Sequence, residues 1–250
     1  MTRTVLIAAM PAELKPLVRG WRHERQNSVD LWRWRFDEGE WIAACAGAGV
    51  DQAARAFAEV EKGGALDEVI SVGWAGALRE DLAPGQAYRV SGVIDARTGE
   101  RFRAQDAGDS CNETPRSQNR EPEHPDLWLV TSSRVADAQE KLRLEAAYSA
   151  ALVDMEAAGV ARLAAMRGIP FYCVKGISDG KSDQLPDFNR FISPSDQFQL
   201  TRFVFFAILS PWYWRPLIRM GENSKRAALS MAKSLLDLLD EQGTIRKRNG

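Results

Sequence analysis

Apolar runs short enough for buried strands alternate along the chain with segments of helical periodicity. Such an alternation is typical of a mostly parallel sheet covered by helices on both faces. We therefore predict one α/β domain over residues 1–250, with a mixed, mostly parallel central sheet. The predicted strands are Thr4–Ala9, Leu31–Phe36, Trp41–Ala46, Glu68–Gly73, Ala87–Ile94, Trp128–Thr131, Ala151–Val153 and Pro170–Ile177. The predicted helices are Ala12–Arg19, Val50–Glu61, Ala136–Ala147, Ala157–Arg167, Asp196–Leu209 and Ser224–Leu239.

Two segments break this pattern. Residues Arg97–Asp126 are polar, rich in charged residues and proline, and without periodicity, which predicts a long surface loop. Phe203–Leu209 is strongly apolar but much shorter than the ~20 residues that span a bilayer. An aromatic and cationic stretch ending at Trp214 and Arg215 follows it. Residues Phe203–Trp214 therefore fit either a core helix with an oligomer contact, the favoured interpretation, or a contact with a membrane surface.

Composition narrows the classes of partner. The 250 residues are 45% hydrophobic and 27% charged, which is typical of a soluble globular protein. Lys and Arg total 33 against 34 Asp and Glu, so the net charge of −1 argues against a broadly basic nucleic-acid-binding surface. We expect no nucleic-acid partner.

The cysteines point to a reducing compartment. The three cysteines lie far apart in sequence, and two histidines are too few for a zinc site of Cys and His ligands. Cys45 and Cys173 lie in apolar runs, so we expect buried thiols of a cytoplasmic protein. The apolar N-terminal run Val5–Met10 is followed at once by charged residues, unlike a secretory signal. No metal or cofactor is expected.

Carboxylates follow three of the predicted strands at their carboxyl ends, where ligands bind in open α/β sheets. Glu13, Glu156 and Asp179 occupy such positions. Taken singly, Glu13 is explained as a helix N-terminal charge and Asp179 as a cap. Together they predict one acidic pocket in which burial separates the pKa values of the carboxyl groups.

Glycine-rich turns follow two further strands, at Gly47-Ala48-Gly49 and Trp74-Ala75-Gly76. The first lacks the third glycine of the dinucleotide fingerprint, and the sequence contains no P-loop motif. Small residues at these points therefore indicate close backbone approach to a ligand or a neighbouring strand.

Five segments, in order, resemble the methylthioadenosine/S-adenosylhomocysteine nucleosidases of the nucleoside phosphorylase/nucleosidase superfamily. The resemblance extends to about Phe191 and fails over Arg97–Asp126. The segments are Ile7–Glu13, Ala46–Val50, Ser71–Gly76 with Leu82–Gln86, Val153–Gly159 and Val174–Asp179. The resemblance implies the phosphorylase/hydrolase fold and cleavage of the N-glycosidic bond of a purine nucleoside.

The resemblance also implies residue roles. Asp179 matches the aspartate that protonates or hydrogen-bonds N7 of the leaving base, and Ser178 helps to hold it. Glu156 matches the carboxylate that binds the ribose hydroxyls, and Met155 packs on the sugar. Glu13 matches the glutamate that activates the attacking water.

Further binding residues are expected around this set. The backbone near Ala136 would meet the base edge, and Gly76 lies in the central turn. Trp74 and Lys175 are placed with the substrate but depart from the family pattern, since they replace a small polar residue and an arginine. The departures leave the 5′ substituent open.

The resulting expectation is an adenine nucleosidase that hydrolyses a 5′-substituted adenosine such as methylthioadenosine or S-adenosylhomocysteine. The alternatives are an adenosylhopane-type nucleosidase of hopanoid synthesis, a futalosine hydrolase, a phosphate-dependent phosphorylase, and a non-catalytic nucleoside-binding protein. A carboxylate at Glu13 disfavours phosphate as nucleophile. The resemblance also implies a homo-oligomer.

Overall fold

One mixed sheet forms the centre of the molecule. The structure is a computed structural model that describes residues 2–36, 39–105, 126–183, 186, 190 and 210–241. The predicted α/β class with a mixed central sheet is confirmed. The strands are β1 (Thr2–Ala8), β2 (Arg22–Gln26), β3 (Val29–Phe36), β4 (Gly39–Cys45), β5 (Glu68–Ala77), β6 (Ala87–Arg89), β7 (Gly92–Asp95), β8 (Arg101–Arg103), β9 (Trp128–Thr131), β10 (Leu152–Asp154) and β11 (Phe171–Asp179). The helices are α1 (Pro11–Leu14), α2 (Val50–Glu61), α3 (Ala138–Tyr148), α4 (Ala157–Arg167) and α5 (Trp214–Glu241), with a 3-10 turn at Pro211–Tyr213 before α5.

Parallel pairing brings the ends of four strands to one edge. β1 pairs in parallel with β4 and β5, and β11 pairs in parallel with β5. β10 runs antiparallel to the end of β5 on one side, with Val153 opposite Gly76, and parallel to β9 on its other side. The turn after β10 therefore comes back beside the edge formed by the carboxyl ends of β1, β4, β5 and β11.

Apolar side chains that point alternately to the two faces of the sheet divide the core into layers. Val5 and Ile7 of β1 pack with α2 and α4, whereas Leu6 and Ala8 pack with α1 and α5 on the other face. Successive side chains of a strand point to opposite faces, so apolar residues at both parities require helices on both sides. A third cluster joins Leu144 of α3 to the strands nearest to it.

The central strand is longer than predicted. β5 continues through Ala77 instead of ending at Gly73, because its last residues pair with β10 and β11. Trp74 and Gly76 are therefore strand residues and do not form the expected turn. This extension brings the backbone of β5 into the predicted pocket.

Several other boundaries differ from prediction. The strand expected at Ala87–Ile94 is two strands, since β6 pairs with β11 whereas β7 pairs with β8 and β9. β2 was not expected, because its sequence is polar and it gains its ladder only from β3. The helix expected over Ala12–Arg19 ends at Leu14.

The two segments that broke the sequence pattern are only partly described. Within the loop expected at Arg97–Asp126, residues Arg101–Arg103 form β8 against β7, and residues 106–125 lie outside the described residues. The expected helix Asp196–Leu209 also lies outside them. α5 begins at Trp214, earlier than the predicted Ser224. In the described part of the chain, no helix is both long and apolar enough to cross a membrane.

The two cysteines of the apolar runs are buried thiols, as expected. Burial raises the pKa of both Cys45 and Cys173 to about 12. A thiol with so high a pKa is a poor nucleophile at neutral pH, so the chemistry must be sought elsewhere.

Candidate active site

Glu13 projects from the turn after β1 and is held by three backbone groups. Its Oε2 accepts hydrogen bonds from the N–H groups of Ala9 (2.9 Å) and Met10 (2.8 Å). Its Oε1 accepts from the N–H of Trp74 in β5 at 2.8 Å. A glutamate three residues after a helix N-cap reaches back to the cap in this way, and Pro11 fits the first helical position. The carboxylate is thus fixed between β1 and β5.

Burial governs the acidity of Glu13. The residue is 4% exposed, and desolvation raises the pKa of its carboxyl, although the three backbone N–H groups and nearby Lys175 oppose that shift. An ionised carboxylate offers about four lone-pair positions, so three bonds leave Oε1 able to accept another proton. A carboxylate with a raised pKa is a stronger general base near neutral pH.

Glu156 stands at the start of α4, across from the glycine turn after β4. Its Oε1 accepts from the Gly49 N–H at 2.7 Å, and its Oε2 from the Met155 N–H at 3.3 Å. Burial, together with the negative charges of Asp154 and Glu13, raises the pKa of Glu156 to about 8. The glycine turn therefore supplies a hydrogen-bond donor to the Glu156 carboxylate. Glu13 lies close enough for its charge to affect the pKa of Glu156.

A buried ion pair lies beneath Glu156. The Nζ of Lys175 is 2.9 Å from Oδ2 of Asp154, and their side chains are 1% and 0% exposed. Thr131 donates to Oδ1 of Asp154 at 2.7 Å, and the Ala157 N–H donates to Oδ2 at 2.9 Å. Burial disfavours the ammonium, but the Asp154 carboxylate prevails and raises the pKa of Lys175 above its ordinary value. The pair joins β9, β10, β11 and α4.

Asp179 ends β11 and receives a donor at each carboxylate oxygen. The Ser178 hydroxyl donates to Oδ1 at 2.5 Å, and the ammonium of Lys141 donates to Oδ2. A register shift between Ile177 and Asp179 places Ser178 in a bulge, a feature that re-aims side chains at strand ends. Lys141 also donates to the Gly180 carbonyl at 2.6 Å.

Two glycines of β5 make room for these groups. A Cβ on Gly73 would lie 2.9 Å from Oε1 of Glu13. A Cβ on Gly76 would lie 3.1 Å from Oδ2 of Asp179 and 3.1 Å from Cε of Lys141. Glu13 and Asp179 thus flank the end of one strand, and the glycines of the motif allow both to approach its backbone.

The other predicted binding residues have contacts of their own. The indole Nε1 of Trp74 donates to the Ser224 carbonyl of α5 at 3.0 Å, and the ring packs in the cluster beneath that helix. Ala136 packs in the cluster around α3. Met155 is partly exposed beside Glu156. The structure therefore gathers Glu13, Glu156, Met155, Ser178 and Asp179 at one edge, turns the Trp74 ring toward α5, and buries Lys175 in an ion pair.

Sequence reasoning missed Lys141 and assigned no role to Asp154. Asp154 had a visible signal, since it directly follows a predicted buried strand. Lys141 had none, because a lysine within a helix is ordinarily solvated. It is buried here with Leu144 on the inner face of α3.

The sequence profile of the phosphorylase superfamily matches residues 3–200, a span that contains all the carboxylates described above. Comparison with curated protein sequences gave no match. The first of three similar solved structures is futalosine hydrolase from Helicobacter pylori, at 15% identity and TM-score 0.69 over 96% of this chain and 98% of that one.

The other two structures are 5′-methylthioadenosine/S-adenosylhomocysteine nucleosidases. The Helicobacter pylori protein is 16% identical with TM-score 0.68, over 96% of this chain and 98% of that one. The Neisseria meningitidis protein is 17% identical with TM-score 0.67, over 98% of this chain and 99% of that one. At such identities the likeness establishes a shared fold, and the chemistry must be argued from the site.

Proposed function

Since the chain belongs to the phosphorylase superfamily, we propose that it is a purine nucleosidase acting on a 5′-substituted adenosine such as methylthioadenosine or S-adenosylhomocysteine. The observation that carries this proposal is the placement of Glu13 and Asp179 on either side of the end of β5, with Glu156 beside Glu13. Cleavage through a cation-like ribosyl transition state needs an acid at the leaving base and a carboxylate for the attacking water.

Each carboxylate suits a different part of that reaction. Asp179, which is hydrogen-bonded at both oxygens, faces N7 of the departing base. A proton between Asp179 and N7 neutralises the negative charge that develops on the base. Glu13 accepts the proton of the attacking water, a role that its raised pKa favours. Glu156 binds the ribose hydroxyls, with Met155 packing on the sugar. No metal or cofactor takes part in these steps.

Water is favoured over phosphate as the nucleophile. The three lysines described at this edge are all paired with carboxylates, Lys141 with Asp179, Lys175 with Asp154 and Lys181 with Glu145. The water position beside Glu13 is next to an acidic group, which would repel a phosphate dianion.

The test is release of free adenine from a panel of nucleosides in phosphate-free buffer. The panel contains methylthioadenosine, S-adenosylhomocysteine, futalosine and adenosine, and the base is detected by chromatography. We expect turnover without phosphate. Turnover that appears only when phosphate is added would establish a phosphorylase, and turnover of futalosine alone would reassign the substrate.

A nucleoside with a large apolar 5′ substituent is a second candidate substrate, as in the adenosylhopane-type alternative. It is favoured by exposed apolar side chains before and within α5, with Trp212 at 69% and Ile218 at 62%. The rest of the stretch proposed for membrane contact, Phe203–Leu209, lies outside the described residues. Trp212→Ala should weaken turnover of such a lipid nucleoside and binding to anionic vesicles, and leave turnover of methylthioadenosine unchanged.

We also propose a homo-oligomer. The exposed apolar residues named above offer surface for a second copy as well as for a lipid. Light scattering of the purified chain measures its mass, and a monomer at micromolar concentration would contradict this proposal.

A further inference from the structure

Lys141 is a buried cation for which the reaction outlined above has no role. The residue is 1% exposed, and its ammonium contacts the carboxylate of Asp179 and the carbonyl of Gly180. A buried lysine loses its hydration, and charge and hydrogen-bond partners such as these must offset the free energy of that loss. Two of its three N–H donors are thus committed to the end of β11.

The pair is asymmetric with respect to solvent. The side chain of Lys141 is 2% exposed, whereas that of Asp179 is 12% exposed. Asp179 is therefore the member that a ligand at the strand edge can reach, and Lys141 lies behind it. Any influence of Lys141 on a substrate must pass through the Asp179 carboxylate.

The chemistry at the base requires a proton that this carboxylate does not carry alone. An ionised carboxylate accepts hydrogen bonds and donates none, so a proton for the base must reach it from a neighbouring donor. N7 of a leaving purine needs a donor as the bond to the ribose breaks. The donor in contact with this carboxylate on its buried side is the Lys141 ammonium.

We propose that Lys141 is a positioning residue that holds Asp179 and supplies the proton which Asp179 delivers to the leaving base, an inference that rests on the proposed nucleosidase function. As the C1′–N9 bond breaks, its electron pair passes into the purine. N7 takes a proton from the Asp179 carboxyl, which takes one from the Lys141 ammonium. Water attacks C1′ and loses its proton to Glu13. The neutral amine and the protonated Glu13 are then reset by exchange with solvent.

A neighbouring ion pair already has the purely structural role of linking α3 to the segment after β11. The Nζ of Lys181 lies 2.6 Å from Oε2 of Glu145, so this ion pair links the segment after β11 to α3, as Lys141 does. Its side chains are 20% and 32% exposed, and it does not contact Asp179 in any described interaction. Lys181 is therefore the matched control for Lys141.

Other ionisable groups at this edge contribute to the pH dependence of kcat, and apart from Lys181 in its own control variant they are the same in all the proteins compared. The segment after β11 adds Asp183, whose Oδ2 accepts from the Gly180 N–H at 2.8 Å. The remaining groups, from α1, α3, β10, the start of α4, β11 and the segment after it, are Glu13, Glu145, Asp154, Glu156, Lys175 and Lys181.

The test compares kcat as a function of pH for the wild type, Lys141→Gln and Lys181→Gln, with methylthioadenosine as the probe and adenine release as the readout. Lys141→Gln should lower kcat by about 10²-fold at pH 7. The ratio of its kcat to that of the wild type should rise about tenfold per pH unit as pH falls from 7 to 5, because an unpaired aspartyl acid binds its proton only near pH 4, whereas the titration of Glu13 is common to both proteins. Lys181→Gln should stay within about twofold of the wild type at every pH.

Three outcomes overturn the inference while leaving the nucleosidase function standing. They are a Lys141→Gln enzyme within about twofold of the wild type, a loss that is equal at every pH, and an equal loss in Lys181→Gln. If Lys141→Gln does not fold, as judged by circular dichroism, the wild-type profile decides. A wild-type kcat that already falls tenfold per unit above pH 5 contradicts a lysine-supplied proton. Absence of turnover of every nucleoside by the wild type would instead refute the proposed function itself.

Discussion

Two buried lysine–aspartate pairs lie at the carboxyl edge of the sheet, and they differ in how the aspartate is enclosed. The side chain of Asp154 is 0% exposed and that of Asp179 is 12% exposed, although the side chains of their lysine partners are both almost fully buried. Asp154 is surrounded by donors from Thr131 and the start of α4. Asp179 ends its strand in a bulge, and its side chain is partly accessible to solvent.

We propose that this difference separates a structural ion pair from one that takes part in the reaction. The same residue types give opposite consequences, because an ion pair that is enclosed on all sides stabilises an arrangement of elements, whereas one with an open side can exchange a proton. Charge pairing alone therefore does not identify a catalytic group. Access from the ligand side is the further requirement that we propose, and variants of the two pairs test it.

The largest effect is expected from Asp179→Asn, which keeps the shape of the side chain but removes its ability to relay a proton. The rate of purine release should fall by about 10²–10⁴-fold, with the protein still folded because Lys141 can donate to the amide oxygen. Asp154→Asn is the control, and it should act mainly on stability. Unchanged purine release in Asp179→Asn would refute the enzymatic assignment.

Lys175→Met tests the enclosed pair. Removing one member leaves Asp154 charged and buried without its cation, so the free energy of unfolding should fall by about 3–5 kcal/mol. Urea denaturation followed by circular dichroism measures this loss. Lys181→Met removes a partly exposed pair from the same edge and should cost at most about 1 kcal/mol. Equal losses in the two variants would mean that enclosure does not distinguish them.

The contrast between the pairs also marks how far sequence reasoning reaches. α2 and α4 lie at their predicted boundaries, Val50–Glu61 and Ala157–Arg167, because small apolar residues recur at helical spacing between clear stops. The edge strands β2 and β8 are polar, and only pairing with neighbours makes them strands. Local pattern predicts elements whose burial follows from their own sequence.

The same limit applies to the site. Glu13 and Asp179 follow strands that are parallel to β5, so topology places them at one edge. Glu156 follows β10, which is antiparallel to β5, and it reaches the same edge because the turn after β10 comes back beside it. Lys141 is buried because Gly76, on a strand distant in sequence, leaves space against which the lysine chain packs. No pattern within α3 encodes that contact, and so the buried cation becomes visible only in three dimensions.

Glu156 lies in the pocket, and its pKa responds to the charge of Asp154 in the enclosed pair. Burial and the charge of Asp154 raise the pKa of Glu156 from 4.5 to about 8, so between these values the folded chain binds a proton that the unfolded chain has lost. The stabilisation from this group is present at low pH and is lost as pH rises to about 8, with a slope of at most about 1.4 kcal/mol per pH unit.

Thermal unfolding from pH 5 to 8 measures that slope, and Glu156→Gln should flatten it. Glu24→Gln is the control, since Glu24 lies on β2 in a partly exposed ion pair with Arg33. A slope that is the same in the wild type and in Glu156→Gln would show that Glu156 does not bind the proton.

The smallest effect is expected from Gly76→Ala, which disturbs the open pair and leaves the enclosed one untouched. The added methyl would lie 3.1 Å from both Asp179 Oδ2 and Lys141 Cε and 3.3 Å from Val153 Cγ1. Such overpacking costs about 1–3 kcal/mol, and it should lower purine release because the carboxylate must move. Adding Lys141→Ala removes the close contact with the lysine chain but not those with Asp179 and Val153, so the double variant should regain part of the stability relative to the sum of the single losses without regaining activity. Additive losses in thermal unfolding would show that Gly76 and Lys141 do not share this space.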